Sequence, residues 1–423
     1  MAKYSLSEKL HKRKINKPNF IYNVLGAVWQ LTVSKKYNIH YHFKKDFRKE
    51  PGPYIVVSNH ASRLDYMFTG IPLLPNRYNF VAGYNEFFRS HLSMVFKLLK
   101  VIPKKNFTSD IYTIRQVTNV LRNNGKIVIY PEGMSSISGA NQPVAIGTGK
   151  FIKHFNLPVY YSVIKGGYLT CPKYTLDERP GYVEVEFDQL FSPEEIEKLS
   201  PTEIEDKLNQ ALYHDDYRWN KIHKHQYKTN GKTAVGLENL LYLCPKCHSE
   251  HAMISDGDVF KCSKCGNGAI IDNTYEMHPL DENCVIPETQ TAWFNYQREF
   301  VKEQIKDPNF ELQEKVKLGI IPDDKELKDQ KTAEIVGEGM ITLNHSGLTY
   351  KGTKNGEEFT FHMELKEVPT YGMCTDVSRF YTFYKNEFYE FYPENNTVEK
   401  WFLATEELHR AHGGKWQDFN FEK

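Results

Sequence analysis

The residues best suited to chemistry in this 423-residue chain lie in one short run, Asn59-His60-Ala61-Ser62-Arg63-Leu64-Asp65. A histidine held by a carboxylate is a ready general base, because the carboxylate fixes the ring tautomer and stabilises the imidazolium that forms. Five steps along a helix turn through about 140°, so one helix face cannot carry both His60 and Asp65. His60 is expected in a turn and Asp65 in the first turn of the helix that follows. Tyr54-Ile55-Val56-Val57, introduced by Pro51-Gly52-Pro53, reads as a buried strand leading into that turn. Open α/β sheets carry their chemistry just past the C-terminal ends of such strands. A second His-x4-Asp pair, His251 with Asp256, means that this spacing alone is not specific.

A second group of reactive side chains lies further on. Cys244-Pro245-Lys246-Cys247 and Cys262-Ser263-Lys264-Cys265 have 14 residues between their inner cysteines. Two such knuckles can aim four thiolates at one ion in a tetrahedral shell, and a closed shell of this kind is structural. The spacing resembles a zinc ribbon, so Zn²⁺ is the expected ion and His251 a decoy beside it. The other three cysteines, 171, 284 and 374, are scattered. That usage speaks for a metal site in a reducing compartment and against a disulfide framework.

The elements that position these groups follow from hydrophobic spacing. Strands are expected at 54–58, 78–82, 101–105, 126–130, 157–164 and 183–187, with helices at 86–100, 108–123 and 147–155 between them. This alternation predicts an α/β domain with a largely parallel sheet flanked by helices. A zinc ribbon and a small antiparallel β domain closed by a C-terminal helix (397–412) follow it. The strand order of that last unit resembles a pleckstrin-homology-like domain. The expected divisions are a basic N-terminal segment (1–50), the α/β domain (51–235), the ribbon (236–285), a helical linker (286–330) and the PH-like unit (331–423).

Charge is unevenly distributed. Residues 1–190 carry 27 Lys and Arg against 12 Asp and Glu, and the rest carry 27 against 41. A basic half beside an acidic one suggests a face that meets something anionic, such as phospholipid headgroups. The apolar stretch 20–33 has helical spacing, contains Trp29 and is flanked by lysines, as in an interfacial membrane helix. No run reaches the roughly 20 apolar residues of a spanning helix. A cytoplasmic, peripheral membrane protein is expected. The ribbon lies in the acidic half, which disfavours nucleic acid as its ligand.

Beside the first run stand Tyr130-Pro131-Glu132-Gly133 and Leu157-Pro158-Val159. Together with Asn59, His60, Ser62 and Asp65, these blocks resemble the glycerolipid acyltransferases that include the 1-acylglycerol-3-phosphate acyltransferases, over about residues 20–230. The resemblance implies a glycerol-3-phosphate acyltransferase-like fold. It also implies transfer of a fatty acyl group from acyl-CoA or acyl-carrier protein to a lysophospholipid hydroxyl, with 1-acyl-sn-glycerol-3-phosphate the leading acceptor. His60 would be the base and Asp65 its orienting partner. Asn59, Ser62, Lys104, Lys105, Glu132 and Gly133 would shape the acceptor site.

Two positions depart from the family's pattern. Lys104, Lys105 and Asn106 occupy the region of its second-block Arg, and Met134-Ser135-Ser136 stand where Thr-Arg-Ser often follows the third block. Lysine cannot make the planar fork with which arginine holds a phosphate. Other hydroxylated lipids therefore stay open as acceptors. Two rival readings also stand, a zinc-ribbon protein that binds nucleic acid and an inactive lipid-binding scaffold. The ribbon or the PH-like unit offers a surface for a protein partner.

Overall fold

The computed structural model describes residues 4–329 and 331–414. Positions 1–3, 330 and 415–423 of the expected N-terminal segment, linker and PH-like unit lie outside the described residues. The first half contains helices α1 (Leu6–His11) and α2 (Ile21–Lys36), then strands β1 (Ile39–Phe43) and β2 (Tyr54–Ser58). Helix α3 (Asp65–Gly70), β3 (Asn79–Gly83), α4 (Ser90–Leu98), β4 (Ile102–Lys104), α5 (Ile111–Arg122) and β5 (Lys126–Ile129) follow. Next come α6 (Thr148–Phe155), β6 (Val159–Lys165), α7 (Gly167–Thr170) and β7 (Val183–Phe191), then α8 (Pro193–Lys198), α9 (Pro201–Leu212) and α10 (Asp216–His223).

Strands β1 to β7 form one sheet in the order β1-β7-β6-β2-β5-β3-β4. Neighbours are parallel except β6 and β7. This is the expected α/β class, a largely parallel sheet flanked by helices. Strand β2 is buried at every position, as its unbroken Tyr-Ile-Val-Val run requires. It pairs in register with β5 on one side and β6 on the other. The chain ends leaving β2, β5 and β6 therefore emerge side by side at one edge of the sheet.

In this half one strand was not expected and one expected helix is divided. Strand β1 was concealed by its composition, because Ile-His-Tyr-His-Phe is mostly solvent-facing and its neighbours are lysines. The helix expected over 86–100 is divided at Arg89, whose extended backbone separates a 3₁₀ turn at Tyr84–Phe88 from α4.

The second half begins with a four-stranded antiparallel sheet, β8 (Met253–Asp256), β9 (Val259–Cys262), β10 (Gly268–Ile271) and β11 (Met277–Pro279), in the order β11-β10-β9-β8. Helix α11 (Gln290–Gln304) leads into a seven-stranded antiparallel sheet. Its strands are β12 (Glu311–Ile320), β13 (Glu334–Asn344), β14 (Gly347–Lys354), β15 (Glu357–Met363), β16 (Gly372–Met373), β17 (Phe380–Tyr384) and β18 (Glu387–Pro393). Their order is β15-β14-β13-β12-β18-β17-β16, and α12 (Val398–Ala411) packs against them.

Strand β12 corrects the reading of 286–330 as a helical linker, which holds for α11 but not beyond it. Lys and Glu dominate its sequence, but they alternate with Val316 and Leu318, which are buried. Even Glu314 points inward, where it accepts from the Trp401 indole (3.1 Å) and the Asn395 backbone (3.0 Å) beside the start of α12. Charge count hid a period of two, and the strand sits at the centre of its sheet.

The expected boundaries also dissolve at the level of packing. One core joins Met134, Ile137 and Tyr174 of the first half to Leu240 and Phe260 of the cysteine module, Trp293 of α11, Val316 of β12 and Trp401 of α12. The segment after β12 returns to the first half, where Leu327 donates to Phe88 (2.7 Å) and accepts from Ser90 (2.9 Å). A shared apolar interior of this kind couples the stability of its parts.

Candidate functional site

His60 lies two residues past the end of β2, and Asp65 is the first residue of α3. The turn between them folds back on itself. His60 Nδ1 lies 2.8 Å from Asp65 Oδ2. Since a buried carboxylate accepts, Nδ1 carries the proton and Nε2 is left as the basic nitrogen. Asp65 also accepts from the Ser62 backbone (2.9 and 3.0 Å) and from the Ser62 hydroxyl (3.0 Å). Burial raises the Asp65 carboxyl above its ordinary value, and the His60 and Ser62 contacts oppose that rise. Gly167 leaves room for this arrangement, since a Cβ there would meet Ala61 Cβ at 3.0 Å and Ile164 at 2.8 Å.

The His60 peptide is gripped by the loop that leaves β5. Glu132 Oε1 accepts from the His60 backbone N–H at 2.7 Å, and the Ser136 backbone N–H donates to the His60 carbonyl at 2.6 Å. The Tyr130 ring lies against the imidazole, with centroids 4.7 Å apart. Glu132 is itself held by Asn141 (2.7 Å) and the Gln142 backbone (2.9 Å). Desolvation nevertheless pushes its carboxyl up to about 8, and the nearby Asp65 adds to the rise.

These contacts correct two of the expected acceptor contacts. Glu132 is buried, and its oxygens are taken up by the loops on either side of His60, so it does not line the cavity described next. Asn59 is likewise turned inward. Its side-chain amide exchanges two hydrogen bonds with the Ile164 backbone (2.8 and 2.7 Å), extending the β2–β6 ladder by one side chain. Both are positioning groups, buried because a strand end needs its polar backbone satisfied.

His60, Ser62, Arg63, Asp65, Lys104 and Gly133 border a cavity of 1590 Å³. Small-molecule pockets commonly measure about 300–1,000 Å³. Apolar wall comes from Trp29 of α2, Val95 and Phe96 of α4, Ile114 and Val117 of α5, and Phe151 of α6. Lys104 donates to the Lys105 carbonyl (3.1 Å), and burial lowers its ammonium's affinity for a proton, with Asp110 opposing. Lys105 faces away. Its ammonium donates to the Asn386 carbonyl (2.9 Å) over the Tyr84 ring, and it does not border the cavity.

Sequence reasoning missed several wall residues. Lys173 borders the same cavity, as do Met373, Cys374, Asp376, Arg379 and Tyr381 of the C-terminal sheet. No motif marks Lys173, which sits in an irregular stretch between α7 and β7. The C-terminal residues were placed in a separate domain, so their approach to His60 had no signal in spacing.

The four cysteines converge as expected. Cys244 and Cys265 sulfurs are 3.6 Å apart, Cys247 and Cys262 sulfurs 3.7 Å, and all four lie within 4.8 Å of one another. A tetrahedron with Zn–S bonds of 2.3 Å has edges of about 3.8 Å. The donor set therefore fits a thiophilic tetrahedral ion. His251 stacks on Tyr242 at 4.8 Å, and no ion pair joins it to Asp256 among the described residues.

Residues 38–165 match the sequence model of the acyltransferase family. Among solved structures, the crystal structure of the 1-acyl-sn-glycerophosphate acyltransferase of Thermotoga maritima is similar at 17% identity and a TM-score of 0.38. The match covers 50% of this chain and 80% of that one. No curated protein sequence matches.

Glu132 yields a test of the grip on His60. A carboxyl whose folded pKa exceeds its unfolded value makes the folded state the better proton binder between the two values. Glu132 therefore costs stability as pH rises from about 4.5 towards 8. Glu132→Gln cannot ionise and escapes that cost. Urea unfolding at pH 5 and pH 8 should show the variant gaining on the wild type by about 1 kcal/mol or more across that interval. An unchanged difference would mean that Glu132 does not titrate there.

Proposed function

We propose that this chain, whose residues 38–165 are an acyltransferase-family domain, is a membrane-associated O-acyltransferase. It moves a fatty acyl group from a thioester donor, acyl-CoA or acyl-carrier protein, to the hydroxyl of a lysophospholipid. The first acceptor to test is 1-acyl-sn-glycerol-3-phosphate. The observation that carries this reading is the His60 imidazole, fixed through Nδ1 by buried Asp65, on the wall of a cavity large enough for acceptor and acyl chain together.

The reaction needs few steps. His60 Nε2 removes the acceptor hydroxyl's proton as the oxygen attacks the thioester carbonyl carbon. Asp65 stabilises the imidazolium that forms. The tetrahedral intermediate collapses, the C–S bond breaks, and the leaving thiolate takes the proton from Nε2. An ester and a free thiol result, without a covalent acyl-enzyme. Ser62 acts on Asp65, Glu132 on the His60 backbone, and Asn59 on the Ile164 backbone of the neighbouring strand β6.

Helix α2 supports the membrane part of the reading. Phe20, Val24, Val28 and Leu31 form an exposed apolar stripe, with Leu31 79% exposed, while Tyr22, Gly26 and Trp29 border the cavity. Lys35 and Lys36 close the helix. Such a helix can lie in the headgroup region and offer lipid a path to the site. Among the described residues, no helix is long and apolar enough to cross a membrane. The same stripe weakens the nucleic-acid rival, which requires the basic residues to surround a polar groove.

The cysteine cluster is read as a structural Zn²⁺ site with no part in the acyl transfer. Its sulfurs lie at tetrahedral spacing, and its Cys244 and Cys262 share the core of Trp293 and Trp401.

Acyl transfer to a panel of lysolipids should fall by about 10²–10⁴-fold in His60→Ala. Equal product from both proteins would remove His60 from the mechanism. In the same assay, Leu31→Glu should lower the rate on vesicle-borne acceptor and spare detergent-dispersed acceptor. Equal losses would detach α2 from membrane binding. Chelation should release one zinc ion per chain and alter tryptophan fluorescence, because Trp293 and Trp401 belong to the ribbon's core. Zinc release with unchanged fluorescence would make the ribbon an independent unit.

A further inference from the structure

Lys173 is a buried cation with no ion-pair partner among the described residues, the Glu86 and Asp376 carboxylates acting on it only from beyond that distance. Its side chain borders the cavity and is only 6% exposed. The ammonium donates to the Met373 carbonyl at 2.8 Å and to the Ser135 hydroxyl at 3.3 Å. An ammonium has three donors, so one is left over. Among the described residues no carboxylate lies within ion-pair distance of it. Buried charges are ordinarily paired, since an unpaired one forfeits its hydration. Desolvation accordingly lowers the group to about 8.

Arg63 stands in a similar position on the same wall. Its guanidinium donates to the carbonyls of Leu176 (2.7 Å) and Thr175 (3.4 Å), and it too has no carboxylate partner among the described residues. Arg63 is close enough to Lys173 to depress the ammonium's proton affinity, against the opposing pull of Glu86 and Asp376. Two cations that repel one another on one cavity wall, both oriented by backbone carbonyls, form a cradle for an anion. Both are near the base. Arg63 lies in the turn between His60 and Asp65, and Ser135 precedes the residue that donates to the His60 carbonyl.

We infer that Lys173 and Arg63 hold the phosphate of the acceptor, and that the C-terminal sheet completes this subsite by fixing the Lys173 ammonium through Met373. This rests on the acyl-transfer reading above. The cation comes from outside the sequence blocks, at a place where Ser135 and not an arginine occupies the third block. The C-terminal sheet is braced there by two further contacts. The Asp376 backbone donates to the Lys173 carbonyl (2.8 Å), and the Met373 backbone donates to Met134 Sδ (3.2 Å). The appended sheet thus selects substrate as well as covering core.

The source of the phosphate is the acceptor and not the donor. In a 1-acylglycerol 3-phosphate, the phosphate is attached one carbon from the carbon that bears the reacting hydroxyl. A coenzyme's phosphates lie a whole pantetheine arm from the thioester. A subsite beside His60 therefore suits the acceptor.

Steady-state kinetics on the full chain separate these sources. Lys173→Met should raise KM for 1-acyl-sn-glycerol-3-phosphate at least tenfold, with kcat and the donor KM changed less than threefold. An unchanged acceptor KM would overturn the proposal, as would an equal rise in both KM values. Binding is tested without turnover by the unfolding midpoint in glycerol 3-phosphate. That compound should raise the midpoint of the wild type and do so by less than half as much in Lys173→Met and in Arg63→Gln. Arg63 is partly exposed, so its variant serves if Lys173→Met fails to fold. No shift in the wild type, or equal shifts in all variants, would overturn the subsite. Absence of acyl transfer by the wild type would sink the proposed function and leave the midpoint experiment to decide the subsite.

Discussion

A single buried carboxylate ties the candidate site together. Glu132 takes the backbone N–H of His60 across the gap between two neighbouring strand ends, and Ser136 of the same loop donates to the His60 carbonyl. The imidazole is thereby fixed at its root before Asp65 fixes it at its ring. The arrangement is costly, because the carboxyl is fully desolvated beside a second buried acid. Three N–H donors recover part of that cost, and the gain is an imidazole already held in one place.

The rest of the fold can be understood as support for this junction. Parallel pairing of β2 with β5 and β6 brings three strand ends together. Asn59 spans β2 and β6 with its side-chain amide, and Gly167 lets the start of α7 pass close to the His60 turn. The helices α2, α4 and α5 give the cavity its apolar wall. The second half then covers what an isolated α/β domain would leave open. Its cysteine module, helix α11 and β sheet share one core with Met134 and Ile137, the loop residues that follow Glu132.

Legibility in the sequence tracked locality. The buried strands were visible as unbroken apolar runs, and the His60 turn as a spacing that no single helix face could hold. The four cysteines announced their convergence by spacing alone, and their sulfurs lie within 4.8 Å of one another. What stayed hidden depended on contacts distant in sequence. Strand β1 has three exposed residues of five, and β12 has charged residues on its outer face, so composition masked both. Glu132 and Asn59 had the right neighbours and a different task, because a motif names residues without saying which way a side chain turns. Lys105 was separable from Lys104 only by position, since Lys104 ends β4 and Lys105 lies just past it. Lys173 had no pattern around it, and its meaning comes from Met373, 200 residues away.

The central claim is that His60 acts as the base in the tautomer that Asp65 imposes. Groups acting as one unit show strongly non-additive losses. The direct measurement is kcat for His60→Ala, Asp65→Asn and the double variant on one lysophospholipid acceptor. The account predicts that each single change lowers kcat severely and that the double variant is no slower than His60→Ala. If the two losses multiply instead, His60 and Asp65 act independently, and the pair is not the catalytic unit described.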